Sequence, residues 1–561
     1  MTELMPASGQ VSDVPQRAWR LRDATRWIAR FEPCDVATIV LLAALVVVAL
    51  LTCKDYAISN DEGVQRHYGE LIIAYYTSGF RDQSLFNFQN LYLYGGLFDV
   101  IAVSLSHLVP VDPYDLGHII CALIGIGGIA AAAATARLIA GPRAGLIAAI
   151  SLTSCGAWYG AMFNHTKDIP FAAAMMGATL FLIRIARLLP SPRAGDIAAF
   201  GLLAGAALGE RVIGLLLVIY VGFAIVLYLP WSGDGLTRWR FAVKSSVSML
   251  PALALAYLIM ILAWPWAALA PLNPIRGLLA FSEFNYSIRT ILAGQIYEMA
   301  DVPRLYVPIY IAVRVPLIML FGAVLTMISA QLSGCTSDWR QRREITLVSL
   351  MVIFPLACQV IWRGPAFTGL RHFLFLIPAL AVLAGIGLDK ALAALNTRGR
   401  IAASGGLAIM TACFLWDAVT LTRLHPYESL FYNSLVGGLE GASRRYDLDY
   451  WFNSMPEAIG LLEAYLRRTT APGDANWPTQ VYSVAVCGER LPFEKAVTLP
   501  QLHWDFMPEW NQSQFFITPT HLNCDRDLDG EVVGTVERLG VAIAYVKDRR
   551  ALTGPVATAT R

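Results

Sequence analysis

The residues best suited to chemistry in this 561-residue chain stand in four short groups. The first is Asn60-Asp61-Glu62-Gly63, continued at helical spacing by Arg66, His67 and Glu70. Adjacent carboxylates leave a helix in different directions, so one can act as a general base while the other binds a metal or an amine. The same residues also suit a capped helix start, with Asn60 or Asp61 as N-cap and Glu62 favourably placed on the helix dipole. The second group is Asn164-His165-Thr166-Lys167-Asp168-Ile169-Pro170. Here Lys167 could hold a phosphate and Asp168 could orient an acceptor or a metal. The structural alternative is a self-neutralising Lys167–Asp168 pair ahead of a proline in the first turn of a helix. Third is Glu210-Arg211, which is either a buried ion pair of little net stabilising value or a pair of ligand groups. The fourth comprises Arg363 and Arg371-His372, arginines that either clamp a phosphate at a membrane surface or snorkel to lipid headgroups.

The elements that carry these groups are membrane spans. Hydrophobic residues make up 56% of the chain and charged residues only 15%, far fewer than the roughly one quarter of a soluble domain. The apolar residues gather into stretches of about 20, the length that crosses a hydrocarbon core. Eleven spans are expected, at 36–53, 116–139, 144–163, 169–188, 196–209, 212–230, 246–266, 308–332, 345–362, 372–391 and 401–421. An odd number puts the termini on opposite sides, and the positive-inside rule chooses the sides. With the N-terminus inside, the inner segments hold Arg17, Arg20, Arg22, Arg26 and Arg30, then Arg137 and Arg143, Arg184, Arg187 and Arg193, Arg238, Arg240 and Lys244, Arg340, Arg342 and Arg343, and Lys390, Arg398 and Arg400. The long outer loop 54–115 offers only Lys54, Arg66 and Arg81. On this topology the four groups all reach the outer leaflet, where charged residues are costly unless used.

The stretch 96–109 is apolar but short of the usual ~17-residue minimum, and counting it as a span would put the arginine clusters outside. It is read as a helix lying along the outer surface, as is the amphipathic stretch from Glu62 to Gly79. The second outer loop, 267–307, has Trp264, Trp266, Tyr286, Tyr297, Tyr306 and Tyr310 at or near its ends, the pattern of an aromatic belt. The chain thus divides into a basic cytoplasmic tail at 1–35, a transmembrane module at 36–422 and a polar outer α/β domain at 423–561. In the last, a helix from Pro456 to Arg468 precedes strand-like runs at 480–486, 513–518 and 540–546. No cleavable signal pattern precedes the first span. The nine cysteines show no metal-ligand spacing and mostly read as small apolar residues within spans. Cys487 and Cys524 are the exception, and a disulfide between them requires that domain to lie outside the cytoplasm; the sequence leaves their pairing open. A net charge of +2 without a basic block interleaved with aromatics argues against a nucleic-acid partner.

Acids able to deprotonate an acceptor and bases able to hold a phosphate, converging at the outer leaflet, suit a transferase with a lipid-phosphate-activated substrate. The order of motifs is similar to bacterial members of the dolichyl-phosphate-mannose protein mannosyltransferase superfamily, the GT-C-fold membrane glycosyltransferases that include the lipid A aminoarabinose transferases. The residues that carry the resemblance are Asp61-Glu62, the run from Asn90 to Asp99, the run from Asn164 to Pro170, Trp264-Pro265-Trp266, Gly369 to Phe373, His425 to Asn433 and Arg445 to Trp451. They span roughly 55–455.

The resemblance implies a polyprenyl-phosphate sugar donor at the outer face of a bacterial inner membrane, transfer to a hydroxyl or amine, and inversion at the anomeric carbon. It makes Asp61 the general base, with Glu62 and Asp168 beside it. It places Lys167, Arg211, Arg371 and His372 around the donor phosphate and leaves His67, His165 and Glu210 as further candidates. Some members use a divalent cation, for which this sequence shows no self-evident ligand set, and no cofactor is otherwise implied. Members acting on proteins often carry a β-trefoil domain in an outer loop, which no loop here is long enough to hold; this favours a lipid, glycan or other small acceptor over a protein. Two other classes fit less well. A lipid-linked-sugar flippase or transporter would keep its charges near the bilayer middle. A non-enzymatic assembly factor acting through 423–561 would leave the acids of the first loop without a purpose.

Overall fold

The computed structural model describes residues 32–282, 287–331, 338–364, 366–469 and 480–553. The basic tail of the chain and Tyr286 lie outside them. Among the described residues, seven helices are long and apolar enough to cross a membrane: Pro33–Asp55, Pro113–Ala140, Asp168–Ala186, Gly235–Ala263, Trp339–Trp362, Arg371–Thr397 and Arg400–Leu424. Two bent pairs, Pro142–Thr153 with Gly156–Asn164 and Tyr306–Arg314 with Leu317–Ala330, break by 67° and 119°. Ala194–Leu208 and Val212–Tyr228 are shorter apolar helices. Each of the eleven expected stretches meets one of these elements; nine are long enough to cross when each bent pair counts as one span, the two at 196–209 and 212–230 are shorter, and the chain is a multi-pass membrane protein. Leu97–Ser106 is a separate helix of 10 residues, too short to span.

Small residues let the spans approach closely, as expected where dispersion rather than the hydrophobic effect joins helices. A Cβ at Gly387 would run into the Gly322 carbonyl, and one at Gly322 would crowd the Ala384 backbone. Four of the arginines expected inside are paired at one end of the bundle. Arg137 binds Asp35 at 2.5 and 2.8 Å, Arg184 binds Asp196 at 2.7 Å, Arg187 binds Glu344 at 2.6 and 2.8 Å, and Arg143 binds Asp389. These pairs sit at the start of Pro33–Asp55, the end of Pro113–Ala140 and the end of Asp168–Ala186. The opposite ends of the last two helices carry His118 and Asp168, and Asp61 follows shortly beyond the first.

The aromatic belt is only partly realised. Trp264, Tyr306 and Tyr310 are fully buried, because their polar atoms are used inside the protein. Trp264 Nε1 donates to the Tyr92 carbonyl at 2.7 Å, and both tyrosine hydroxyls donate to Asp447 at 3.2 and 3.1 Å.

Beyond the last span the chain builds a mixed sheet. Its strands are β3 (Tyr482–Val486), β4 (Leu502–Asp505), β5 (Phe515–Pro519), β6 (Glu531–Arg538) and β7 (Val541–Asp548), in the order β4-β3-β5-β7-β6. The two strands before these, β1 (Arg289–Leu292) and β2 (Gln295–Glu298), form a hairpin in the second outer loop. β3 runs parallel to β4 and β5, and β7 antiparallel to β5 and β6. The helix Met455–Thr469 lies against β5, β6 and β7 and buries Ala458, Ile459, Leu462 and Leu466, its helical stripe. The sequence pattern finds three of the five strands and that helix. It misses β4, only four residues long, and β6, whose face is half exposed.

Cys487 and Cys524 are joined in a disulfide with a Cα separation of 6.6 Å. The bridge closes a loop across 37 residues, which by chain entropy is worth about 4 kcal/mol. Reduction, or Cys524→Ser, is expected to destabilise this domain by about that amount while the bundle keeps its own unfolding transition. Protease susceptibility of 480–553 with and without reductant reads this directly, and equal susceptibility would contradict it.

Candidate active site

Asp61 is the N-cap of the helix Glu62–Thr77, just beyond the first span. Its carboxylate is 38% exposed and is ion-paired with the Arg371 guanidinium. Arg371, at the start of its span, also donates through Nε to Asp168 Oδ2 at 2.9 Å and lies 4.4 Å over the Trp451 ring. Asp168, 3% exposed, takes a second guanidinium from Arg211. The result is an alternating chain of charges, Asp61, Arg371, Asp168 and Arg211, in which one carboxylate is open and the other enclosed. A buried carboxylate is tolerated when it is paired and hydrogen-bonded, and two arginines satisfy Asp168.

His165 stands against this chain, with Nδ1 at 3.6 Å from Asp168 Oδ2 and Nε2 at 3.2 Å from the Tyr450 hydroxyl. Burial pushes the His165 imidazole below its ordinary range, against the pull of Asp168. A neutral ring fits both contacts, with Nε2 accepting from Tyr450 and Nδ1–H turned to the carboxylate. Tyr450 and Trp451 come from the segment joining the last span to the C-terminal sheet, and Asn453 of the same segment accepts from Asn164 at 2.9 Å. The run from 443 to 454 therefore closes one wall of the site.

Lys167 is placed differently from the expectation that it faces a phosphate. Its side chain is 3% exposed, with the ammonium 2.9 Å from Asp99 Oδ2 and 3.0 Å from the Gly95 carbonyl. The rings of Tyr68 and Tyr94 lie 5.4 and 5.6 Å away. Glu62 also turns inward, since adjacent residues on a helix diverge. Its carboxylate accepts from the Ser59 amide and meets His118 Nε2 at 2.9 Å. Glu210 is buried and accepts from the Phe98 amide at 2.7 Å. His372 follows Arg371 with its ring edge on Phe367, at 4.4 Å between centroids. His67 lies away from the charge chain, half exposed beside Glu70 and edge-on to Phe88. Arg363 donates to the Val302 and Asp301 carbonyls at 3.0 and 2.8 Å.

Gly95 is what lets the surface loop reach this depth. A Cβ there would collide with the Gly209 carbonyl and press on the Glu210 amide. Neither atom can move independently of the turn that presents Glu210 and Arg211. Gly95→Ala is expected to cost about 1–3 kcal/mol by overpacking and to disturb the Lys167 and Glu210 contacts together. A thermal unfolding midpoint equal to the wild type would show the approach to be looser than this.

Asp99, the partner of Lys167, is not singled out by motif spacing, although a lone acid in an otherwise apolar helix is a usable signal. His118 is likewise invisible to local pattern, while Asp447 and Tyr450 fall in the Arg445 to Trp451 run without their roles being legible there. Among the described residues no group of three or more His, Cys, Asp or Glu side chains stands close enough to hold a metal ion. Of the carboxylates in the charge chain Asp61 is open while Asp168 is engaged by two arginines, a donor set that does not fit a protein-held divalent cation.

Residues 109–266, which include Asn164 to Asp168, Glu210 and Arg211, match the family model of dolichyl-phosphate-mannose-protein mannosyltransferases. Among solved structures, ArnT from Cupriavidus metallidurans bound to undecaprenyl phosphate is similar at 16% identity and a TM-score of 0.49, over 95% of this chain and 100% of that one. The Archaeoglobus fulgidus oligosaccharyltransferase follows at 12% identity and a TM-score of 0.47, over 82% and 64%. The arabinofuranosyltransferase AftD from Mycobacteria gives 13% identity and a TM-score of 0.42, over 90% and 41%. No curated protein sequence matches the chain significantly. The family match lies on the segment that supplies Asp168 and Arg211, two members of the charge chain, and covers less than a third of the chain.

Proposed function

We propose that the chain moves a sugar from a polyprenyl-phosphate donor to an acceptor hydroxyl or amine at the outer face of a bacterial inner membrane, with inversion and with Asp61 as general base. The observation that carries this reading is the alternating charge chain, in which Asp61 alone among the joined carboxylates is accessible. An acceptor O–H or N–H approaching Asp61 gives up its proton as its heavy atom attacks the anomeric carbon, opposite the leaving phosphate. The donor phosphate competes with Asp61 for Arg371, which frees the base as the donor binds. Arg211, which shares Asp168 with Arg371, and His372, next to Arg371 in sequence, are assigned to the phosphate with it, and the leaving group needs no general acid because it is already an anion.

The buried groups act by position in this reading. Lys167 and Asp99 tie the surface helix to the Asp168 turn, and Glu62 with His118 fixes the direction from which Asp61 projects. ArnT is bound to undecaprenyl phosphate and the Archaeoglobus fulgidus oligosaccharyltransferase to a dolichol-phosphate, and a ligand of that class is the donor proposed here. A lipid, a glycan or a protein can present the acceptor group. The N-terminus is placed in the cytoplasm and the C-terminal sheet in the periplasm, consistent with the Cys487–Cys524 bridge.

The test is release of free polyprenyl phosphate by purified protein from a panel of polyprenyl-phosphate hexoses and pentoses, with membrane extract as acceptor. One or a few donors are expected to turn over only when extract is present. Tight donor binding without release from any donor would move the assignment toward transport.

A further inference from the structure

A cavity of about 770 Å³ lies away from the charge chain, between the helices Arg400–Leu424 and Leu317–Gln331 and the segment that follows the last span. Apolar side chains line it, among them Leu317, Ile409, Trp416 and Phe431, together with Asp417 and Arg423. The helix Arg400–Leu424 is barely packed against the rest of the molecule; Ile409 is 67% exposed and Trp416 74%. The cavity is therefore bordered by a helix that faces lipid.

Asp417 is the feature that apolar packing does not explain. It sits within a membrane span, is 8% exposed, and has no hydrogen-bond or ion-pair partner among the described residues. An ionisable side chain at membrane depth is expensive, and such residues normally pair or serve a ligand. Arg423, exposed in the last turn of the same helix, is likewise unpartnered and lines the same cavity. The two Cα atoms are separated by about 9 Å along the helix axis, with Arg423 nearer the helix end. The long arginine stem lets its head meet a charge anywhere over the upper part of that interval.

We propose that this cavity binds a phosphorylated membrane lipid whose phosphate pairs with Arg423 and whose linkage, deeper in the membrane, carries a hydroxyl or amide N–H that donates to Asp417. The apolar wall accommodates the acyl chains. A phosphate on a bare hydrocarbon tail has no donor to offer Asp417 and leaves its burial uncompensated. The site rests on the chain spanning a membrane and not on the chemistry assigned to Asp61.

Ceramide 1-phosphate and phosphatidic acid of matched chain length test this, because both carry a phosphate monoester but only the first has an amide and a hydroxyl beneath it. With delipidated full-length protein in nanodiscs, ceramide 1-phosphate is expected to bind about tenfold more tightly, or ~1.4 kcal/mol. Asp417→Leu abolishes that preference, Asp417→Asn, which keeps an acceptor oxygen, retains most of it, and Arg423→Gln weakens both lipids alike. Equal binding of the two lipids to the wild type would overturn the proposal, as would a preference that survives Asp417→Leu. Competition by polyprenyl phosphate with the same dependence on Asp417 would also overturn it, by making the cavity the donor's. Because binding is read without turnover, failure here is distinct from failure of the transferase assignment.

Discussion

Asp61→Asn is expected to lower sugar transfer by about 10²–10⁴-fold, the usual worth of a positioned general base, with donor binding somewhat tighter, because the neutral amide competes less for Arg371, and with the unfolding midpoint nearly unchanged. Asparagine keeps the shape of the side chain and an oxygen that accepts from Arg371, so the ion pair becomes a hydrogen bond at a 38% exposed position. Little stability is at stake, because exposed ion pairs are worth roughly 0–1 kcal/mol. What is lost is the ability to take the acceptor proton. Single-turnover release of polyprenyl phosphate at saturating donor separates the chemical step from binding. A decrease of less than about tenfold would remove Asp61 from the role proposed for it.

Arg371→Gln has a different signature. The guanidinium is 10% exposed and joins Asp61 to the enclosed Asp168. Its removal leaves Asp168 with Arg211 as its remaining guanidinium partner. Breaking a buried charge pair from one side costs about 3–5 kcal/mol, so both the unfolding midpoint and the donor affinity are expected to fall. Arg371→Lys keeps the charge but not the planar fork that reaches two carboxylates at once while lying on Trp451. It therefore restores only part of either loss. An unchanged midpoint in Arg371→Gln would mean that the enclosed pair contributes no net stabilisation.

The spans are legible in the sequence because continuous apolar length is a local property, and the paired arginines at one end of the bundle agree with the loop charges. The breaks are less legible. Arg314 and Leu317 flank a 119° bend inside what reads as one span; Pro316 breaks the helix there, and Arg314 beside it donates to Ser429 and Tyr432, partners the local sequence does not show. Within the site, residue types at Asp61, Asp168, Arg211 and Arg371 stand out as charges in or beside apolar stretches. Their mutual arrangement does not, because Asp168 pairs with groups 43 and 203 positions away. The same long-range packing gives Lys167 to Asp99 rather than to an open phosphate site, and turns Glu62 toward His118. Adjacent sequence suggested a Lys167–Asp168 pair, whereas the helix geometry sends the two side chains to different partners.

The most direct test of the central claim is the anomeric configuration of the product formed by the wild-type protein from a donor of known configuration. With a single open carboxylate serving as base, the acceptor itself attacks the anomeric carbon, and the account predicts an inverted product. Retention would require a covalent sugar intermediate, make Asp61 a nucleophile rather than a base, and contradict the mechanism drawn from this site.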